Sequence, residues 1–277
     1  LIFGEFMHIS ILARSLVLCL SALALSSCET STAPGAIGAD RKQLLLVSSA
    51  EMNRMAVEGY NEMKAGATKE DILNKDDALL QRVRGVAARL QPQTQVFRTD
   101  APGWNWEVNV LDSDELNAFC MPGGKIMFYS GLIQQLDLSD SEIAIVMGHE
   151  IAHALREHSR EQMSQALAAQ TAIGVGAALL GLGKASADLA GSGYQALIAT
   201  RFSRTDETEA DRIGLELTAR AGYDPRAGVT LWQKMITANQ GTSPPELLSS
   251  HPAGANRVRE IEALLPTVMP LYSAAIK

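Results

Sequence analysis

Val146-Met147-Gly148-His149-Glu150-Ile151-Ala152-His153 is the stretch whose reading decides the rest of this chain. It is an H-E-x-x-H sequence set in an apolar, helix-forming run. On a helix, positions i and i+4 stand one above the other on the same face. His149 and His153 therefore aim two imidazoles at one point, where a metal ion fits. Glu150 lies beside the first imidazole, placed to act on a water at that metal. Two His and a Glu at these spacings also arise on solvated helices that bind nothing. The surrounding sequence has to choose between the two.

The helix begins at Ser139-Asp140-Ser141-Glu142, where Ser139 and Glu142 fit a capping box. Ile143, Val146, Met147, Ile151, Ala154 and Leu155 supply its buried side. Arg156, Glu157, Arg160 and Glu161 bring charge back, so the helix is expected to run on into solvent past His158. His158 would then sit roughly 140° around from His153, a poor third ligand. It reads as a partly exposed or hydrogen-bonded histidine.

A catalytic zinc takes three protein ligands and keeps one position open. The third is sought in residues 203–222, where Ala210, Ile213, Leu217 and Ala221 form a helical stripe and Gly222 suits a C-terminal cap. Glu207 and Asp211, four apart, share a face. Glu207 is the expected ligand. Asp211, one turn on, can hold a ligand imidazole by its other N–H. Glu209 points roughly 200° away from Glu207, so the two cannot reach one metal. The plain alternative is a solvated acidic helix start that favours the dipole.

Ahead of the metal helix the pattern changes to period two. Trp106, Val108 and Val110 alternate with Glu107, Asn109 and Leu111. Asn117-Ala118-Phe119-Cys120-Met121 meets the turn Pro122-Gly123-Gly124, and Lys125-Ile126-Met127-Phe128-Tyr129 follows. This predicts a small antiparallel sheet. A strand beside a metal helix can pair with an extended peptide, so Asn117, Ala118 and Phe119 are candidate substrate contacts. Cys120 has no activating neighbour and reads as a small buried residue. Leu79, Leu80, Val83, Val86, Ala87 and Leu90 form the stripe of a packing helix. The predicted fold is α+β and mainly helical, with the sheet beside the H-E-x-x-H helix.

Three domain-level expectations follow the chain. Residues 1–28 read as a lipoprotein signal peptide: Arg14 precedes the apolar run Leu16–Leu25, which ends in Leu25-Ser26-Ser27-Cys28. Cys28 would be the lipidated residue, anchoring the protein to a bacterial envelope membrane on the periplasmic side, with the outer membrane as the default destination. Residues 29–39, rich in small side chains, read as a flexible tether. Residues 40–277 form the catalytic domain. Within it the Ala/Gly-rich stretch 164–199 reads as a flap over the site rather than a membrane span. With Cys19 and Cys28 in the leader, Cys120 is the one thiol left, which excludes a disulfide framework and a cysteine zinc site. A net charge of −7 excludes bulk attraction to nucleic acid.

Taken together, four pieces in order resemble the M48 family of zinc metallopeptidases, which includes the CAAX prenyl proteases. They are Asn117-Ala118-Phe119 with Pro122-Gly123-Gly124; Gly148-His149-Glu150-Ile151-Ala152-His153; Ser203-Arg204 with Glu207, Asp211 and Gly214; and His251-Pro252 with Arg257. The chain is most similar to the small periplasmic members that lack a TPR domain, over roughly residues 40–265. The resemblance implies a zincin-like fold and one zinc ion held by His149, His153 and Glu207. It also implies that His251 and Arg257, six residues apart, sit over the metal and stabilise the oxyanion, or that His251 reaches the zinc in a resting state. Glu150 is then the general base and acid of peptide-bond hydrolysis. The implied role is quality control of unfolded or misassembled envelope proteins, with outer-membrane assembly machinery as a partner. The competing reading is a chaperone-like or assembly lipoprotein with little proteolytic activity.

Overall fold

The computed structural model describes residues 28–179, 201–239, 247–251 and 256–277. The H-E-x-x-H segment lies on helix α4 (Asp140–Leu155), whose start is the expected capping box: Ser139 accepts from the Glu142 amide, and the Glu142 carboxylate accepts from the Ser139 amide at 2.9 Å. Every residue from Glu142 to Leu155 is buried. A helix covered on all sides is a core element. Around it pack α2 (Asp77–Leu90), strand β4 (Ala118–Met121), α6 (Arg204–Arg220) and α7 (Ala227–Ala238). Helices α1 (Ser49–Lys69), α3 (Ser130–Gln135), α8 (Leu247–Ser250) and α9 (Arg257–Ala275) complete the described helical shell together with α5, below. The α+β, mainly helical class is therefore the observed one.

The sheet is mixed, which corrects the antiparallel expectation. Strand β5 (Lys125–Tyr129) is central, β3 (Glu107–Leu111) runs parallel to it, and β4 runs antiparallel on its other side. The tight turn at Gly123 and Gly124, with φ of +76° and +81°, pairs β4 with β5. A Cβ on Gly124 would come within 2.5 Å of the Trp106 ring, so that turn takes glycine. The link 112–117 carries the chain past the position that β5 later fills. The run Ile126-Met127-Phe128, apolar without alternation and fully buried, marks β5 as the inner strand. This leaves β4 at the edge that lies against α4.

Two more expectations give way. The stretch 29–39, read above as a tether, is docked on the domain. Strand β1 (Cys28–Glu29) pairs with β2 (Gln43–Leu44), and Thr32, Ile37 and Ala39 are buried. The Ala36 amide donates to Glu216 at 2.8 Å, and the Thr32 hydroxyl donates to the Ala39 carbonyl at 2.9 Å. Small side chains here permit close approach rather than freedom; Gly35 sits at φ +60° against Phe97. Helix α4 also does not run on past His158. It ends at Leu155, Glu157 adopts φ +52°, and a new helix, α5 (His158–Leu179), departs. Arg156, expected in solvent, is fully buried, and its N–H groups donate to Glu209, to Thr32 of the docked segment and to the Arg41 carbonyl.

Residues 164–179 of the Ala/Gly-rich stretch continue α5. The remainder of the expected flap, 180–199, and residues 1–27 of the expected signal peptide lie outside the described residues. Among those described, no helix is long and apolar enough to cross a membrane.

Candidate metal centre

Helices α4 and α6 cross at Gly148 and Gly214. A Cβ on Gly214 would lie 2.6 Å from the His149 amide nitrogen, so the backbones touch there. This close crossing sets Glu207, at the start of α6, over the two histidines of α4. The Nε2 atoms of His149 and His153 are 3.1 Å apart. The Glu207 carboxylate oxygens lie 3.6 Å from each of them. His251, from beyond α8, brings Nδ1 to 3.3 Å from His149 Nε2 and 2.8 Å from Glu207. One ligand atom from each of these four buried residues falls within 4.8 Å of the others.

Protonation follows from the neighbours. Asp211 lies 3.1 Å from His149 Nδ1. Burial opposes the Asp211 charge, yet Arg257 and His149 hold its pKa down to about 2. It is therefore an acceptor, His149 Nδ1 carries the proton, and His149 Nε2 presents a lone pair. Burial, followed by the surrounding histidines, holds His153 well below the usual imidazole range, so it is neutral. Burial also opposes the Glu207 charge, but His251, His149 and Arg257 leave its pKa lowered. Imidazole nitrogens and one carboxylate, buried and converging, are the donor set that zinc takes. The residues present fit such an ion.

Arg257 faces the carboxylates rather than open space. It donates to Asp211 from Nε at 2.5 Å and from Nη2 at 2.7 Å, and to Glu207 from Nη1 at 2.7 Å. Its guanidinium lies over the Trp232 ring, 3.8 Å from the centroid. Glu150 is the opposite case: it is buried, and one of its carboxylate oxygens has no hydrogen bond among the described residues. Burial raises its pKa, against His251 and His149. His251 Nε2 stands 3.5 Å from that oxygen without hydrogen-bond alignment. A small pocket beside it is lined by Asn117, Phe119, Glu150, His153, Phe202 and His251. All three expected substrate contacts, Asn117, Ala118 and Phe119, border this pocket.

Residues 79–265 match Peptidase family M48. The chain belongs to that family. It is 33% identical over 248 residues to the mitochondrial metalloendopeptidase OMA1 of Bos taurus, covering 82% of this chain and 45% of the relative. It is 37% identical over 163 residues to the mitochondrial metalloendopeptidase OMA1 of Schizosaccharomyces pombe, covering 58% and 47%. It is 32% identical over 197 residues to the beta-barrel assembly-enhancing protease of Escherichia coli K12, covering 68% and 39%. The chain thus spans less than half the length of each of these relatives. The enzyme class expected from the H-E-x-x-H helix, a metalloendopeptidase, is the class of the M48 family and its OMA1 members.

Around this M48 centre the structure adds one residue not named in the sequence reading, Phe202, and gives His158 a different place. Phe202 packs on the His153 ring with centroids 3.9 Å apart. It is the residue just before the N-cap Ser203 of α6, a position that the helical pattern alone does not mark. On a continuous helix His158 would point away from the metal. The break at Glu157 turns it back, fully buried, to 2.9 Å from His153 Nδ1. Cys120 is buried as expected, and burial raises its pKa well above the usual thiol value.

Proposed function

We propose that this chain is a zinc-dependent endopeptidase that cleaves extended, unfolded or misassembled polypeptides of the cell envelope. One observation carries the reading: a buried carboxylate, Glu150, with an oxygen unpaired among the described residues, stands beside three converging donors, His149, His153 and Glu207. Zinc held by these three supplies Lewis acidity to the scissile carbonyl and to water. Glu150, whose pKa is raised by burial, takes a proton from the attacking water and returns it to the leaving amine. Asp211 orients His149 by accepting from Nδ1. Arg257, bound to both carboxylates, holds Asp211 and Glu207 in place. His251 turns Nε2 toward Glu150 and is the donor for the developing oxyanion.

Substrate comes in as a strand. Strand β4 is the sheet edge next to α4, so a peptide laid along it is held by backbone hydrogen bonds and read little by sequence. That suits unfolded chains. The cell-envelope setting rests on the leader pattern ending in Cys28 and on likeness to an assembly-enhancing protease. A lipid on Cys28 would hold the domain close to the membrane surface, because the chain pairs with β2 at that residue.

Degradation of β-casein by the full chain tests the proposal. Cleavage should stop with a chelator, return with zinc, and be lost in Glu150→Gln with zinc still bound. If wild type loaded with zinc leaves casein intact, the assembly-factor reading replaces the endopeptidase one.

A further inference from the structure

We propose that His158 is a positioning residue of the metal centre: held by Glu209, it fixes the tautomer of His153 so that His153 Nε2 faces the metal. The inference rests on the metal reading above and extends it to residues outside the four-donor cluster. Both ring nitrogens of His158 are engaged in a fully buried setting. Nδ1 lies 2.9 Å from His153 Nδ1, and Nε2 lies 3.1 Å from the Glu209 carboxylate.

The direction of each hydrogen bond follows from the far end. Two guanidiniums grip Glu209: Arg156 through Nε and Nη2, both at 3.1 Å, and Arg41 through Nε at 3.1 Å. A carboxylate held by two arginines is ionised and only accepts. His158 therefore donates from Nε2. If the ring carries a single proton, on Nε2, it accepts at Nδ1. His153 must then donate from Nδ1, which leaves Nε2 with a lone pair, 3.1 Å from that of His149. Ligand imidazoles elsewhere are oriented by a carboxylate or carbonyl acting on them directly. Here a second histidine is interposed, and Asp211 serves His149 by the direct route.

The backbone shows what this arrangement requires. A continuous helix would put His158 on the wrong side. Glu157, a non-glycine residue at φ +52°, breaks the helix and brings the ring round. His158, Asp206 and Glu209 also form an acidic-histidine cluster of metal-binding size. Arg41 and Arg156 already supply its positive charge, with Arg41 Nη2 on Asp206 at 3.1 Å, so the cluster is an ion network behind His153.

The test measures zinc affinity by chelator competition, and the visible spectrum of the cobalt-substituted full chain. Compared are wild type, His158→Leu, His158→Asn and His158→Gln. Asn places a carbonyl oxygen near the position of Nδ1 and can accept from His153; Gln extends past it, and Leu accepts nothing. Leu should weaken zinc binding on the order of 10–100-fold and shift the cobalt bands. Asn should recover most of the affinity and the wild-type spectrum, and Gln should not. Wild-type affinity in folded Leu overturns the inference. Should Leu not fold, Asn binding as weakly as Gln overturns it. A wild type that binds no zinc removes the metal reading and this inference together, an outcome distinct from zinc binding that is indifferent to His158.

Discussion

Gly214→Ala is the substitution that most directly tests how α6 delivers Glu207 to α4. In a solvated helix interior this change stabilises by about 0.8–1 kcal/mol. Here the added Cβ would stand 2.6 Å from the His149 amide nitrogen and 2.8 Å from the Gly148 carbonyl carbon, where ordinary contact starts at 3.4 Å. Those are backbone atoms of the core helix and cannot rotate aside, so α6 must move out by roughly 0.8 Å to restore contact distance. Overpacking of this kind costs about 1–3 kcal/mol, and rigid backbone on both sides puts it at the upper end. The net loss is then about 2 kcal/mol once the helix gain is subtracted. For a domain of this size that lowers Tm by roughly 4–8 °C. Glu207 precedes Gly214 by seven residues on the same helix, so an outward shift carries it too. Ligand distances tolerate only about 0.2 Å, so zinc affinity should fall with stability. Gly85→Ala is the control: on α2 a Cβ meets nothing within 4 Å, and the same substitution should raise stability. Thermal unfolding and chelator competition on both variants decide. A Gly214→Ala protein as stable as wild type, with unchanged zinc affinity, refutes the backbone-crossing argument.

Two further outcomes concern regions the sequence misread. The amides of Ala33, Ala36 and Ala39 donate to Phe97, Glu216 and Pro34, so they should exchange slowly with deuterium; exchange at the rate of a free peptide would restore the tether. For Glu209 the sign is that of a depressed carboxylate. Burial opposes its charge, but His158, Arg156 and Arg41 hold its pKa from the ordinary 4.5 down to about 2. Its contribution to stability is therefore full above pH 4.5 and is lost as the pH falls toward 2. The urea midpoint difference between wild type and Glu209→Gln should shrink over that window; a difference constant across it counts against the ion network.

What could be read ahead of the structure followed from short-range rules. Ser139 and Glu142 cap α4, His149 and His153 share its face, and Glu207 and Asp211 share the face of α6, because each pair is separated by three or four residues on one helix. The misreadings have a common cause: a local rule was continued past the place where a distant partner overrides it. Charge at Arg156 points to solvent, yet Glu209, 53 residues away, neutralises it inside the fold. Small residues at 29–39 point to slack, yet Glu216, 180 residues after Ala36, captures that backbone. Period-two alternation found the strands, but their order depended on which strand could be buried on both faces. The spacing of Arg257 from His251 likewise says nothing of Asp211, which takes two of its N–H groups.

His251 is where the two readings of the site meet. A catalytic zinc uses three protein ligands and an open position, but four donor residues converge here, and His251 Nδ1 lies where a fourth ligand would. A ring held there at rest would close the site, and substrate would have to displace it. Removing His251 therefore has two opposed effects. Freeing the position recovers at most the value of a charge-assisted hydrogen bond to Glu207, about 1.5–3 kcal/mol. Losing an oxyanion donor costs about 2.7–4 kcal/mol. The loss is larger by roughly 1 kcal/mol, so His251→Ala should lower kcat/KM for a short peptide by roughly five-fold. Zinc should remain bound through His149, His153 and Glu207. The partial fall is the informative feature: Glu150→Gln, which removes the proton acceptor without opening anything, should fall much further. A His251→Ala enzyme faster than wild type would make closure the sole role of the ring. A fall as deep as that of Glu150→Gln would show that the ring does not close the site at rest.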